Sequence, residues 1–188
     1  MSITSLLIIV LLIFSVTLLS GLKIMINCKY IQTIMFFFII YGPFSELVEV
    51  CKSGYTYDAL SIIILIIVLL LIFIWGYRRN KYIYSVHNLK QKDVVDIIER
   101  YLERRDIKYE IRGNEIQLTE LYKVIYVKGQ IEVLLDCRQI KDMELYNDIL
   151  VEVRTGIKDI KKRYFPKEAI VYLILAGILY WVKIRFFS

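Results

Sequence analysis

Residues 59–77 read ALSIIILIIVLLLIFIWGY and are followed directly by Arg78, Arg79, Asn80 and Lys81. At about 1.5 Å of rise per residue, this uncharged run covers the ~30 Å hydrocarbon layer of a bilayer as a helix. Lys and Arg are retained on the cytoplasmic side, so the basic cluster predicts a membrane helix over residues 59–76 that ends in the cytoplasm. The sequence therefore predicts an integral, multi-pass protein of the plasma membrane.

Two apolar segments precede this helix. The first is longer than the core of a signal peptide and lacks its basic start, so we predict an uncleaved helix over residues 3–22 with its N-terminus outside. The second, residues 31–50, contains Pro43. Proline removes a backbone donor and clashes with the preceding turn, so this helix either kinks at Pro43 or stops there and leaves an external loop.

The last apolar segment, within residues 166–188, reaches Lys183 after a short apolar run. A full span requires Lys183 and Arg185 to extend towards the outer surface, while Trp181 anchors the helix at the interface. We favour a fourth span over a re-entrant or surface-lying tail. The predicted membrane regions are thus residues 1–76, with three helices, and residues 166–188.

Between these regions, residues 77–165 are patterned as a cytoplasmic α+β domain. A strand is predicted over residues 82–87, followed by an amphipathic helix with Asn88 as its N-cap. Alternating apolar residues from Ile107 onward and the turn pair Gly113-Asn114 predict a β-hairpin.

A second hairpin is predicted around Lys128-Gly129-Gln130, and the two hairpins give three or four antiparallel strands. A second amphipathic helix is predicted over residues 141–164 and ends on Lys161, Lys162 and Arg163. The expected fold is therefore an antiparallel sheet with two amphipathic helices, inserted between membrane helices.

The net charge of +6 is concentrated beside the predicted membrane entries. Between Tyr77 and Lys167 there are 20 Lys and Arg against 15 Asp and Glu, and seven of the basic residues lie next to the membrane. Juxtamembrane cations orient a protein and attract anionic lipid headgroups, whereas the body of the domain is nearly neutral. This distribution predicts contact with the lipid bilayer and no nucleic-acid partner. The residues assigned to the membrane interface are Arg78, Arg79, Lys81, Lys161, Lys162 and Arg163.

Three kinds of ionisable residue are candidates for function. Glu46 and Glu49 lie near the outer end of the second apolar segment and are either part of an ion or substrate pathway or, as we favour, solvated carboxylates. His87 is the only histidine, and a histidine at a strand end is more often structural. Cys137 follows Asp136, which opposes the lowered pKa that a reactive thiol needs.

Sequence signatures of common enzymes are missing from the chain. It has no glycine-rich phosphate loop, HExxH, GxSxG or Asp-rich calcium loop, and its three cysteines form no CxxC pair. We therefore predict no catalytic residue, no metal site and no cofactor, and no segment resembles a known family. Heavy use of Ile, Lys, Tyr and Phe favours an AT-rich bacterial genome.

A domain tethered to the membrane at both ends suits a partner-docking or conformation-reporting role. The leading hypothesis is an accessory or regulatory subunit of a membrane complex that acts through its cytoplasmic domain. The alternative is a self-contained oligomeric channel or transporter that this domain gates. A protein partner or a homo-oligomer is expected in either case.

Overall fold

The computed structural model of the chain describes residues 3–53, 56–129, 131–162 and 164–187. It contains two compact units. Residues 27–81 form one of them, which we call the hairpin unit. Residues 1–26 and 82–188 form the other, which we call the sheet unit. The predicted mixture of α-helices with an antiparallel sheet is confirmed.

The hairpin unit consists of two long helices, α2 (Cys28–Ser53) and α3 (Thr56–Asn80). Phe36 of α2 stacks on Phe73 of α3, with ring centroids 4.2 Å apart. The Gln32 side chain donates to the Phe73 carbonyl over 3.3 Å and accepts from Asn80 Nδ2 over 2.9 Å. Polar and aromatic contacts therefore hold the two helices together.

Helix α2 continues through Pro43 to Ser53, so the predicted alternative of an external loop after Pro43 is wrong. A proline in a helix removes one backbone donor, but the flanking turns still form. The Ser45 hydroxyl adds a bond to the Gly42 carbonyl at 2.8 Å. Glu46 and Glu49 consequently lie on a helix.

The sheet unit contains a pair of apolar helices, α1 (Ile3–Leu19) and α6 (Lys167–Phe187). They run antiparallel, because Lys183 Nζ near the end of α6 donates to Ser5 Oγ near the start of α1 over 2.7 Å. Their contact is an apolar cluster of Leu7, Ile8, Leu11, Tyr172, Ala176 and Leu179.

Among the described residues, only α2 and the part of α3 from Ala59 to Asn80 are long and apolar enough to cross a membrane. The apolar part of α1 is shorter, and α6 carries charges in its first and last turns. The structure thus shows two candidate spans, whereas the sequence analysis predicted four.

Among the described residues, the sheet has six strands: β1 (Ile24–Asn27), β2 (Ile83–His87), β3 (Tyr109–Arg112), β4 (Glu115–Leu118), β5 (Lys123–Gly129) and β6 (Val133–Asp136). Their order in the sheet is β1-β2-β6-β5-β4-β3. The predicted strand over residues 82–87 and the two predicted hairpins are present as β2 to β6, whereas the edge strand β1 was missed by the sequence analysis. Three antiparallel pairings, β3 with β4, β4 with β5 and β5 with β6, join neighbours in sequence, whereas β2 pairs antiparallel with the distant β6.

Two amphipathic helices, α4 (Gln91–Arg104) and α5 (Glu144–Asp159), share one apolar core with the sheet. Helix α4 begins after Lys90, whose backbone N–H donates to the Asp93 carboxylate, so the prediction of Asn88 as N-cap is wrong. Asn88 instead has a φ of 60° and turns the chain between β2 and α4.

Helix α5 ends at Asp159, before the basic residues that were predicted to form its last turn. Ile160 is extended, and its carbonyl accepts a hydrogen bond from Lys23 Nζ. That bond satisfies a backbone carbonyl at the end of the helix. Lys161 and Lys162 therefore belong to an extended connection to α6.

The hairpin turn at Gly113 provides a test of the backbone geometry. Its φ of +61° disfavours a side chain, while a Cβ there meets no atom within 4 Å. Gly113→Ala should therefore destabilise the sheet unit by about 1 kcal/mol through backbone strain alone. The matched change Gly177→Ala in α6 also meets no atom within 4 Å and should be neutral or stabilising. Thermal unfolding of both variants measures the difference, and equal effects would contradict this assignment of the turn.

Candidate functional site

A buried polar cluster surrounds His87 at the end of β2. The ring is fully buried, and its Nδ1 lies 2.7 Å from Glu168 Oε2. Its Nε2 lies 3.0 Å from Ser85 Oγ, which in turn donates to Glu132 Oε2. These four side chains form a continuous hydrogen-bonded series, which we call the His87 cluster.

The fold brings these residues together from three places. Ser85 and His87 are two positions apart on β2, so both side chains leave the same face of the sheet. Glu132 lies in the connection between β5 and β6, and Glu168 lies in the first turn of α6, where the helix dipole favours a carboxylate. Phe14 of α1 closes the site with its ring edge-on to the imidazole, at a centroid distance of 5.4 Å.

The two carboxylates of the cluster differ in exposure. The Glu168 side chain is 7% exposed, whereas that of Glu132 is 33% exposed. The direct distance from Glu132 Oε2 to His87 Nε2 is 3.8 Å, so Ser85 provides the hydrogen-bonded connection between them. The series therefore leads from a half-buried acid to a buried acid at the start of α6.

The hydrogen-bonded order of the side chains, from Glu168 to His87 to Ser85, is that of a carboxylate-histidine-serine catalytic triad. A serine nucleophile must present its hydroxyl to a substrate. Ser85 is fully buried, and its hydroxyl donates to Glu132. The arrangement is suited to holding and moving a proton, and it does not present a nucleophile.

A cavity of about 540 Å³ lies beside the cluster. Glu132 and Glu168 line it, together with the ammonium-bearing side chains of Lys90 and Lys167. Lys90 also lies over the Tyr164 ring, 5.2 Å from its centroid. The cavity gives the exposed end of the cluster access to small polar molecules and to protons.

Asn88, which also lines the cavity, fixes α1 to the end of β2. Its Nδ2 donates to the carbonyls of Leu18 and Leu22 over 2.9 and 2.7 Å. These carbonyls lie at and beyond the C-terminus of α1, where helix carbonyls lack intrahelical partners. Asn88 Oδ1 is buried and has no hydrogen-bond partner among the described residues.

The residues that the sequence analysis assigned to the membrane interface are not members of the His87 cluster. Arg78 and Arg79 are in the last turn of α3, in the hairpin unit, and Lys81 follows it. Lys161 and Lys162 are exposed in the extended connection after α5, and Arg163 lies outside the described residues.

The two carboxylates proposed for a pathway, Glu46 and Glu49, are exposed on α2 and have no ion-pair partner within the described part of the chain. No group of three or more His, Cys, Asp or Glu side chains in the described ranges is arranged to hold a metal ion.

The structure makes Cys137 a poor nucleophile. Its side chain is fully buried, and burial together with the charge of Asp136 raises the pKa of the thiol well above its ordinary value. A raised pKa keeps the thiol protonated at neutral and mildly alkaline pH, and the thiolate is the reactive form. We expect Cys137 to stay unlabelled by thiol reagents up to about pH 9, whereas the exposed Cys51 should react. Mass spectrometry of labelled protein, before and after denaturation, measures this; labelling of native Cys137 would contradict it.

Sequence reasoning singled out His87 but missed Ser85, Glu132 and Glu168. One signal was available: Glu168 is the only acidic residue in α6, at the start of an apolar helix. Ser85 and Glu132 carried no such signal, because their roles depend on pairing across the sheet.

Comparisons with protein-family models, with curated proteins and with solved structures found no match for this chain.

Proposed function

We propose that this protein is an accessory or regulatory subunit of a bacterial plasma-membrane complex, acting through its cytoplasmic α+β domain. In this proposal α2 and α3 cross the bilayer, and the paired helices α1 and α6 cross it as well. The Ser5–Lys183 contact supports the crossing of α6, because it gives the ammonium group a polar partner near the end of the helix. Arg78, Arg79, Lys161 and Lys162 then face anionic headgroups on the cytoplasmic side.

The observation that carries the regulatory role is the double attachment of β2 to the helix pair. His87 bonds Glu168 of α6, and the adjacent Asn88 bonds the carbonyls at the end of α1. A partner that displaces β2 or the β5–β6 connection must therefore shift or break contacts made by both helices. Such an arrangement transmits a change in the domain to the membrane segment.

The test is purification of the full-length protein in mild detergent, with the mass of the intact complex and the identity of every co-purifying chain. An accessory subunit should carry a different chain at fixed stoichiometry. Asn88→Ala, which disconnects α1 from β2, should alter the stability of that complex, whereas the surface change Glu120→Gln should leave it intact. A pure monomer at all detergent concentrations contradicts the proposal.

The topology has a separate test based on cysteine labelling. Cys51, near the end of α2, should react with a membrane-impermeant thiol reagent in intact cells. Because Cys137 is buried, a cytoplasmic reporter has to be introduced, and Tyr122, which is 92% exposed between β4 and β5, is suitable. Tyr122→Cys should react only after lysis, and its labelling from outside would invert the topology.

A self-contained oligomeric channel or transporter is the second candidate. The observation in its favour is that Glu46 and Glu49 lie on one continuous helix, a turn apart, about 10 Å or less from its end at ~1.5 Å per residue. In this case the purified protein should form a closed homo-oligomer, and Glu46→Gln or Glu49→Gln should reduce flux in proteoliposomes. Unchanged flux in both variants would exclude these carboxylates from a pathway.

A further inference from the structure

The hydrogen-bond geometry of the His87 cluster determines how many hydrogens it must contain. It has three contacts: Glu168 with His87, His87 with Ser85, and Ser85 with Glu132. Each contact needs one hydrogen between its two heavy atoms. The cluster therefore needs three hydrogens to make all three bonds.

Two ionised carboxylates and a neutral imidazole cannot supply that number. The Ser85 hydroxyl contributes one hydrogen, neutral His87 contributes one, and a carboxylate contributes none. The third hydrogen has to be an additional bound proton. Without it, one buried contact would bring two acceptors together, which is costly in a site shielded from water.

We propose that the His87 cluster is a proton-binding site that holds one extra proton and relays it between Glu132 at the cavity and Glu168 at the start of α6. This inference is independent of the accessory-subunit proposal, because it rests only on contacts within the sheet unit.

The extra proton has three positions that preserve all three hydrogen bonds. On Glu132, the carboxylic acid donates to Ser85 Oγ, Ser85 donates to His87 Nε2, and His87 Nδ1–H donates to Glu168. On His87, the imidazolium donates to both Glu168 and Ser85, and Ser85 donates to Glu132. On Glu168, the acid donates to His87 Nδ1, and Nε2–H donates to Ser85.

Transfer between the first and last of these states is balanced. Glu132 gives its proton to Ser85 Oγ while the Ser85 hydrogen moves to His87 Nε2, and the Nδ1 hydrogen of His87 moves to Glu168. One proton leaves Glu132, one arrives at Glu168, and Ser85 and neutral His87 keep their own number of hydrogens. The net charge of the cluster is the same throughout.

The groups around the cluster bear on how the proton enters at Glu132 and where it arrives at Glu168. Glu132 borders the cavity, which Lys90 and Lys167 also line. On the side of the helices, Phe14 of α1 covers the imidazole, and the Tyr172 phenol of α6 is close enough to interact electrostatically with both Glu132 and Glu168. Lys128 of β5 lines a second cavity together with Glu132. Loss of the proton leaves one of the three contacts of the cluster without a hydrogen.

The single histidine makes the test direct. Full-length protein with ¹⁵N-labelled histidine, studied by NMR in detergent micelles, gives one imidazole, whose two nitrogen shifts report which of them carries hydrogen. Because the relay passes hydrogen between the two ring nitrogens, we expect both nitrogens to carry hydrogen for part of the time, with both shifts away from those of a fixed neutral tautomer. Two shifts that match one fixed neutral tautomer would overturn the proposal.

Two glutamine variants provide matched controls with opposite outcomes. In Glu168→Gln the amide donates to His87 Nδ1, so all three bonds form without an extra proton and the Nε2–H tautomer is fixed. In Glu132→Gln the amide donates to Ser85, and the Nδ1–H tautomer is fixed instead. In both variants the two nitrogen shifts should therefore become those of a fixed neutral tautomer. The same tautomer in both variants, or shifts unchanged from the wild type, would contradict the relay; the wild-type shifts alone remain decisive if either variant fails to fold.

Discussion

His87→Ala is expected to lower the free energy of unfolding of the sheet unit by about 3–5 kcal/mol, because it leaves the Glu168 carboxylate buried without its partner. The deletion also opens a space beneath Phe14, whose ring edge rests on the imidazole. Removing the partner of a buried, hydrogen-bonded carboxylate is costly because the carboxylate keeps its desolvation penalty.

Thermal unfolding in detergent, followed by circular dichroism, measures this effect. A loss of this size corresponds to a midpoint lower by about 6–20 °C in a domain of this size. The control is Glu120→Gln, which removes an exposed carboxylate paired with Lys108 and should leave the midpoint unchanged. A His87→Ala midpoint within error of the wild type would show that Glu168 does not depend on the imidazole.

A double variant separates the loss of the partner from the loss of packing. In His87→Ala combined with Glu168→Gln, the buried group at position 168 is neutral, so part of the destabilisation should be recovered. Additive effects of the two changes would mean that the two side chains are not coupled. The cavity left by the imidazole should persist in both the single and the double variant. It should account for the part of the destabilisation that is not recovered.

Leu135→Ala is expected to destabilise the sheet unit by about 2–5 kcal/mol, the range found when a fully buried leucine is truncated. Leu135 is on β6, the strand that pairs with both β2 and β5. Leu135 therefore contributes to the packing of β2, the strand that carries His87. We expect the destabilisation to include faster amide exchange in β2 as well as in β6.

Hydrogen exchange with mass spectrometry and thermal unfolding together measure this prediction. Leu121→Ala makes the same chemical change at an exposed position between β4 and β5 and should alter stability by less than about 0.5 kcal/mol. Equal effects at the two positions would place Leu135 outside the core.

The local elements of the fold were predictable because their signals lie within a few residues. Gly113 and Asn114 between alternating apolar residues indicated the β3–β4 hairpin, and the structure pairs Arg112 with Glu115 across that turn. The spacing of apolar residues in α4 indicated its buried face in the same way. In both cases the chain segment that carries the pattern also forms the contacts.

Elements that depend on distant partners were not predictable. Ile24, Met25 and Ile26 form a short apolar run between basic residues, which on its own suits a connection near a membrane as well as a strand. It is a strand because β2, far along the sequence, lies next to it. The early end of α5 at Asp159 likewise depends on a bond from Lys23 to the carbonyl that follows.

The candidate site was predictable only at His87. Its status as the sole histidine made it a candidate, but the carboxylates that give it a chemical role come from the β5–β6 connection and from α6. No spacing rule in one sequence relates those positions. Glu46 and Glu49, which the membrane-depth argument singled out as candidates, are close in sequence to apolar residues and were therefore easier to notice than Glu168.

The sheet unit is discontinuous, with the hairpin unit inserted in its sequence between β1 and β2. During synthesis, α1 is made first and α6 only after every strand of the sheet. The packing partner of α1 is therefore absent while the intervening chain is made. Over that interval Asn88 and Lys183, whose side chains bond the end and the start of α1 in the finished fold, have not yet been made. An incomplete chain would thus expose the apolar face of α1 that packs against α6 in the finished fold.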